Sequence, residues 1–432
     1  MPGTIAPGAR GRSAAGGTQT DPPTAPTDPN DRIVSLDALR GFALLGILVI
    51  NMWYFSMPLV GAMLPPAFGD FTGRNYAAWL VGHLFFEMKF VALFTIMYGG
   101  GLVLFTEHKR RQGQDALRLH YRRTWWLLLI GLVHAYGFWY GDILVTYALC
   151  GAVLVLAVDW APRRLFVVGI AMFAAPALTY LLLWGVILGM AGADTSDAVG
   201  KAIVTGIGAT DTEIAAEIES YRGGWSDQLE HRVPMALSLQ TTHFAVANFW
   251  HIGGLMLMGM AVFKRGVLSN RASRGTYRRL LVTGMGVGLP LTAAGVWYRS
   301  AVGWDPLPVI LVGFQFTYWG SLFLAGGYIG AVMLWCRFAQ SGIVTAGLAA
   351  VGRTAFSNYL LQTVIATSIF YGHGLGLFGM VSRIGGLGLV LVIWAIQIPL
   401  SVLWLRYFRF GPIEWIWRSL TYGTRQPLRR NR

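Results

Sequence analysis

An all-α bundle of membrane-spanning helices, about ten in number with both ends in the cytoplasm, is the fold class this sequence predicts. Three observations carry it. Of 432 residues, 55% are hydrophobic and only 12% are charged, whereas soluble domains carry about 25% charged residues. Apolar runs near the ~20 residues that cross ~30 Å of hydrocarbon recur along the chain. The basic residues cluster in short blocks between those runs, as topology signals do. In water such a chain would expose apolar patches and aggregate, and lipid removes the difficulty. Its 17 Trp and 55 Gly suit the same setting, since Trp sits at headgroup depth and Gly lets helices approach closely.

In chain order, residues 1–31 are rich in Pro, Gly, Thr and Ala and read as a disordered cytoplasmic tail without a signal-peptide core. A transmembrane domain follows over 32–410. Its spans fall near 36–56, 79–105, 124–140, 142–158, 165–190, 242–263, 280–298, 308–335, 354–371 and 386–408. Gly141-Asp142 makes a tight hairpin between the short third and fourth spans. The outer loop 191–241 carries Asp194, Asp197, Asp211, Glu213, Glu217 and Glu219. Within it, 211–222 suits an amphipathic surface helix that either caps an outer cavity or serves as a tether. Residues 411–432 form a cytoplasmic interfacial segment, in which Gly411-Pro412 breaks the helix, Trp415 and Trp417 anchor it, and Glu414 pairs with Arg418.

Charge placement fixes the orientation. With the N-terminus inside, the cytoplasmic segments hold 26 of the 34 Lys and Arg. The outer segments hold six: Arg74, Lys201, Arg222, Arg232, Arg299 and Arg383. The remaining two, Arg40 and Lys89, fall within spans. This asymmetry follows the positive-inside rule and places a multi-pass protein in the cell membrane, a bacterial plasma membrane. The formal net charge of +14 therefore faces anionic lipid, and no nucleic-acid partner is expected. Cys150 and Cys336 both lie in apolar segments, so no disulfide or thiolate metal site is expected.

Ionisable residues inside spans are costly and mark candidate chemistry. Asp37 and Arg40, three apart in SLDALRG, share a helix face. They are either a snorkelling ion pair or, with Arg122, Arg123 and Arg353 at the same depth, a site for a phosphate-bearing donor. His83 and Glu87 stand four apart in HLFFEMKF, where a carboxylate can orient an imidazole and raise its basicity. The same pair also reads as an interhelical hydrogen-bond link. Lys89, on another face, either pairs with Glu or snorkels.

Topology places Asn51, His83, Glu87, His251 and Gln315 in the outer half of the bilayer, and His134 marks the third span. Asn358 and Gln362, four apart in the ninth span, serve as interhelical glue or line a cavity. No HExxH, CxxC pair or intramembrane carboxylate cluster is present, so no metal is expected. The glycine run after Tyr98 lacks the Lys-Ser/Thr of a phosphate loop, and no G-x-S-x-G elbow occurs.

Four blocks carry a family resemblance: RIVSLDALRGFALLGILVIN at 32–51, KFVALFTIMYGGGLVLF at 89–105, VGRTAFSNYLLQT at 351–363 and FGPIEWIWRSLTYG at 410–423. Together they resemble the YeiB-like family (domain of unknown function 418), which is grouped with a wider superfamily of transmembrane acyltransferases. The resemblance implies an enzyme that moves an acyl group from a cytoplasmic donor, such as acyl-CoA, to a glycan, lipid or metabolite acceptor near the outer face. No permanently bound cofactor is implied. LDALRG is similar to the superfamily's N-terminal signature and implies a donor-side role for Arg40. The O-antigen type members carry a catalytic histidine where this chain has Asn51, whereas the heparan-glucosaminide type has Asn there and its histidine later. By that comparison His83 is the first candidate base, with His251 and His134 behind it. The competing readings are a transporter of a small solute, with the same groups lining a path, and a scaffold in which they only join helices.

Overall fold

Each apolar segment named above is helical in the computed structural model, because a backbone in lipid must satisfy its own hydrogen bonds and a helix does so within one segment. The structure describes residues 33–189, 210–339 and 341–430, with 198, 201 and 202. The tail expected over 1–31, and most of the loop before residue 210, lie outside these. Among the described residues there is no β-sheet, only an isolated bridge between Phe408 and Arg429.

Among the described residues, seven helical stretches are long and apolar enough to cross a membrane: Val34–Ser56, Gly73–Arg111, Pro162–Gly189, Trp225–Lys264, Arg274–Ala301, Pro306–Phe338 and Arg383–Tyr407. The chain is an integral membrane protein. Three further segments read as spans are helical but shorter or more polar. Ala116–Gly137 includes Arg118, Arg122 and Arg123, while Leu144–Leu154 and Ala355–Phe370 have 11 and 16 residues.

The first helix sits at the centre, buried nearly all round, as a helix that is apolar on every face must be. Around it pack Lys89–Arg111, Phe314–Phe338, Ala355–Phe370 and Arg383–Tyr407. Its longest contact is with a helix that the hydropathy pattern does not predict, Ile343–Arg353. At 11 residues this element is too short to register as a span. Backbone touches backbone there: a Cβ on Gly41 would lie 1.9 Å from the Leu348 carbonyl oxygen, and one on Gly352 1.9 Å from that of Asp37. Only glycine permits this approach.

Two elements depart from the sequence reading. The second span is not one helix: Gly73–Phe85 ends, the chain turns through Phe86–Met88, and Lys89–Arg111 begins. Met88 turns the corner at φ +62°, a left-handed conformation costly for a residue with a side chain. The sixth segment begins earlier than expected, with Trp225–Gln240 leading through a π-helical stretch, Phe244–Asn248, into Phe249–Lys264.

The outer-loop helix expected over 211–222 is present as Asp211–Arg222, opened by a capping box between Thr210 and Glu213. It is packed down rather than tethered, with Tyr221 and Glu217 buried. In the C-terminal helix Pro412–Tyr422, Glu414 bonds elsewhere than the sequence suggests. Its carboxylate accepts from the amides of Phe356 and Ser357, at 2.7 and 3.2 Å, and from the Ser357 hydroxyl. It thus satisfies open donors at the start of Ala355–Phe370, while the Arg418 guanidinium lies over the Phe410 ring.

Candidate functional site

The break at Phe86–Met88 builds the first site. Were the helix continuous, Glu87 would lie one turn along the axis from His83. The turn instead folds Glu87 back, and its carboxylate meets His83 Nδ1 in a short hydrogen bond. On the far side of the ring, Nε2 faces the Thr317 hydroxyl at 3.2 Å. An ionised carboxylate only accepts, so Nδ1 carries the proton and Nε2 presents its lone pair. Trp79 stacks on the imidazole at 4.8 Å between centroids and fixes its plane. His83 is fully buried, whereas the Glu87 side chain is 25% exposed, so the carboxylate is the open end of this chain.

Two cations complete the site. Lys89 does not snorkel: it is buried, and Nζ donates to the His83 carbonyl at 2.5 Å. Arg299, 5% exposed, acts electrostatically on Glu87, His83 and Tyr54. A buried carboxylate is tolerable only with such compensation. The sequence signals neither role, since Arg299 looks like a helix-end arginine.

A second set repeats the chemistry. His134 Nδ1 meets Asp142 at 2.6 Å, and Nε2 meets the Thr363 hydroxyl at 2.9 Å. Asp142, which the sequence marks only as a hairpin residue, has no exposed side-chain surface. Its other oxygen accepts the Val145 amide at 2.8 Å, in the first turn of Leu144–Leu154. The Tyr359 ring closes over His134.

The arginines gather near the C-terminal helix. Arg40 pairs with Asp37 at 2.9 Å, as their spacing predicts. Arg123, within electrostatic reach of Arg40, is sandwiched by Trp417 and Phe105, 4.4 and 5.0 Å from the ring centroids. Arg122 donates to the Leu420 carbonyl at 3.3 Å, and Arg353 reaches that of Arg409 at 3.5 Å. Arg122 and Arg123 thus hold the C-terminal helix against the bundle, and Arg353 bonds the chain just before it.

The remaining candidates scatter. Asn51 is half-buried and makes no side-chain hydrogen bond to another described residue. His251 is wedged among Phe173 and Tyr318, with Nε2 unpartnered. Gln315 donates to the Ala177 carbonyl at 3.0 Å, away from His83. Asn358 and Gln362 both turn to the Arg383–Tyr407 helix: Asn358 to Ser401 Oγ at 2.9 Å, Gln362 to Gln397 Oε1 at 2.9 Å. They are interhelical links, and Asn358 also borders a cavity of about 430 Å³ with Thr354, Ser357 and Ser401.

With this geometry in view, comparison with known proteins places the chain. It is 33% identical over 410 residues to the YeiB protein of Escherichia coli (strain K12), covering 92% of this chain and 98% of that one. It is 32% identical over 418 residues to the YxaH protein of Bacillus subtilis (strain 168), covering 93% and 97%. The family model "Protein of unknown function (DUF418)" matches residues 262–424. The chain belongs to the DUF418 family. A protein encoded in the amylase 3' region of Bacillus acidopullulyticus is 24% identical over 415 residues. The DUF418 match contains Arg299, Thr317, Arg353 and Thr363. It does not reach His83, Glu87, His134 or Asp142, so both imidazole sets join the family segment to the N-terminal part of the chain.

Proposed function

We propose that this DUF418 protein spans a bacterial plasma membrane about ten times with both termini inside, and transfers an acyl group from a cytoplasmic acyl-CoA to an acceptor near the outer face. The observation that carries the reading is the Glu87–His83–Thr317 chain, with Lys89 and Arg299 buried beside it. A base needs a lone pair held in one direction and a partner for the charge it acquires, and His83 has both.

In this reaction His83 Nε2 takes the proton of an acceptor hydroxyl or amine, which replaces Thr317 as its partner. The acceptor oxygen or nitrogen forms a bond to the thioester carbonyl carbon, the carbon–sulfur bond breaks, and the thiolate recovers the proton from the imidazolium. Glu87 stabilises that imidazolium, and Lys89 and Arg299 hold Glu87 ionised. Arg40, Arg122, Arg123 and Arg353 supply the positive field at the donor's entry. Glycan, lipid and metabolite acceptors all fit this chemistry.

Labelled acetyl-CoA given to membranes containing the protein should pass its label to an acceptor, and His83→Ala should abolish the transfer. Full activity in that variant would remove His83 as the base. The gathering of a part-exposed carboxylate, a buried imidazole and two buried cations in one cluster favours a second reading, proton-coupled transport of a small solute. Uptake of an unmodified solute by proteoliposomes, with no transferred label, would establish that reading instead.

A further inference from the structure

A further buried cation, apart from the His83 site, belongs to the helix Trp225–Gln240. Arg232 is fully buried. Its Nη1 donates to the Gly137 carbonyl at the end of Ala116–Gly137, and Nε and Nη2 have no hydrogen-bond partner among the described residues. No ion pair to it is formed among the described residues. The Trp225 ring lies 5.2 Å away, and the tyrosines within its electrostatic reach are Tyr221 and Tyr371. In the aromatic cluster that contains Tyr221 and Tyr371, the Trp139 indole nitrogen also lacks a partner among the described residues.

Other buried or half-buried arginines show what a structural guanidinium looks like here. Arg383 spends its donors on the carbonyls of Gly61, Pro65, Phe68 and Asp70, at 2.9–3.2 Å. Arg337 is bonded to Asn270 and Ala272. Arg299 faces Glu87. Arg299 Nε also lacks a hydrogen-bond partner, but Glu87 supplies that guanidinium a counter-charge. Arg232 leaves both Nε and Nη2 unpaired with no carboxylate acting on it among the described residues, and that edge is the informative one. Nε–H and the neighbouring Nη2–H point the same way, in the fork that grips two oxygens of one carboxylate or phosphate. Helix-end carbonyl and ring supply only partial negative charge, and a buried cation without a full counter-charge is expensive.

We propose that Arg232 is the anchor of an oxyanion-binding site at the Trp225–Gln240 helix, taking a phosphate or carboxylate group. The ligand is either a soluble anion or a lipid headgroup, and the chemistry recognised is the same. This site stands independently of acyl transfer, since it uses none of the His83 residues.

The test is thermal unfolding of the purified full-length protein in detergent, titrated with inorganic phosphate or acetate against chloride at constant ionic strength. In parallel, nanodiscs of phosphatidylglycerol are compared with nanodiscs of phosphatidylcholine. A saturable rise on the order of 5 °C is expected for the wild type at about a hundredfold saturation. Arg232→Met should be at least as stable as the wild type without anion and should not respond to it. Arg232→Lys, which keeps the charge and loses the fork, should need roughly tenfold more anion, and serves if the Met variant does not fold. A response to phosphate or acetate assigns a soluble ligand; a response only to phosphatidylglycerol assigns a headgroup. Equal responses in wild type and both variants, or none to any probe, would overturn the proposal.

Discussion

Two regions of this protein hold the same three groups in the same order, a carboxylate, an imidazole and a threonine hydroxyl, and they differ in what surrounds them. Around His134 the set is closed. Asp142 is wholly buried, spends its second oxygen on a backbone amide, and forms no ion pair with a Lys or Arg among the described residues. Around His83 the carboxylate is partly exposed and two buried cations crowd it. A sealed set with every atom satisfied is suited to fixing helices in place. One that is open at its carboxylate and overcompensated by positive charge is suited to gaining and losing a proton. The same three kinds of group are thus set in different surroundings, and the neighbours distinguish the two sets.

The sharpest way to break this comparison is to remove one hydrogen-bonding group from each set. His83→Ala should lower acyl transfer by roughly 10²–10⁴-fold, while Thr363→Val, in the closed set, should change it by no more than about twofold. Comparable losses in the two variants would erase the distinction. Stability should reverse the ranking. Asp142→Ala strands the Val145 amide and His134 and should cost roughly 3–5 kcal/mol. Glu87→Ala, at a part-exposed carboxylate, should cost less than half of that by denaturation in detergent.

A third experiment extends the contrast to the 211–222 helix. Burial raises the Glu217 carboxyl to about 7, against the bonds it accepts from the Leu59 amide. The folded protein therefore holds this proton more tightly than the unfolded chain. The resulting stability is complete below about pH 4.5, and is lost progressively as pH climbs to about 7. Thermal midpoints of the wild type should fall over that window more than those of Glu217→Gln, which keeps an acceptor for Leu59 without the titration. Parallel curves would show that Glu217 is no part of the pH response. The smallest effect belongs to Thr210→Ala, which removes the capping box of the same helix. It should cost about 1 kcal/mol, visible as faster hydrogen exchange at Glu213 and Ile214 with the bundle unaffected.

Much of the fold was legible in the sequence because lipid imposes a simple rule: long apolar runs become helices, and every run named on that basis is helical. Legibility stopped where length or periodicity gave no signal. The helix Ile343–Arg353 is too short to stand out, and the break at Phe86–Met88 lies inside an apolar run with no proline or glycine at the turn itself. At the site, spacing exposed the His83–Glu87 and Asp37–Arg40 pairs because both partners are near in sequence. Thr317, Thr363, Arg299 and Arg232 escaped it, since each acts on a group that lies far along the chain or on an element joined to it only in space.

Composition and charge placement by themselves determined that this chain folds in a membrane as helices, for those depend on transfer of side chains from water, which is a sum over residues. Which polar groups meet was decided by the tertiary structure alone. A hydrogen bond or an ion pair depends on a few ångströms between helices, and that distance is set by packing, such as the glycine contact that seats Ile343–Arg353 on the first helix.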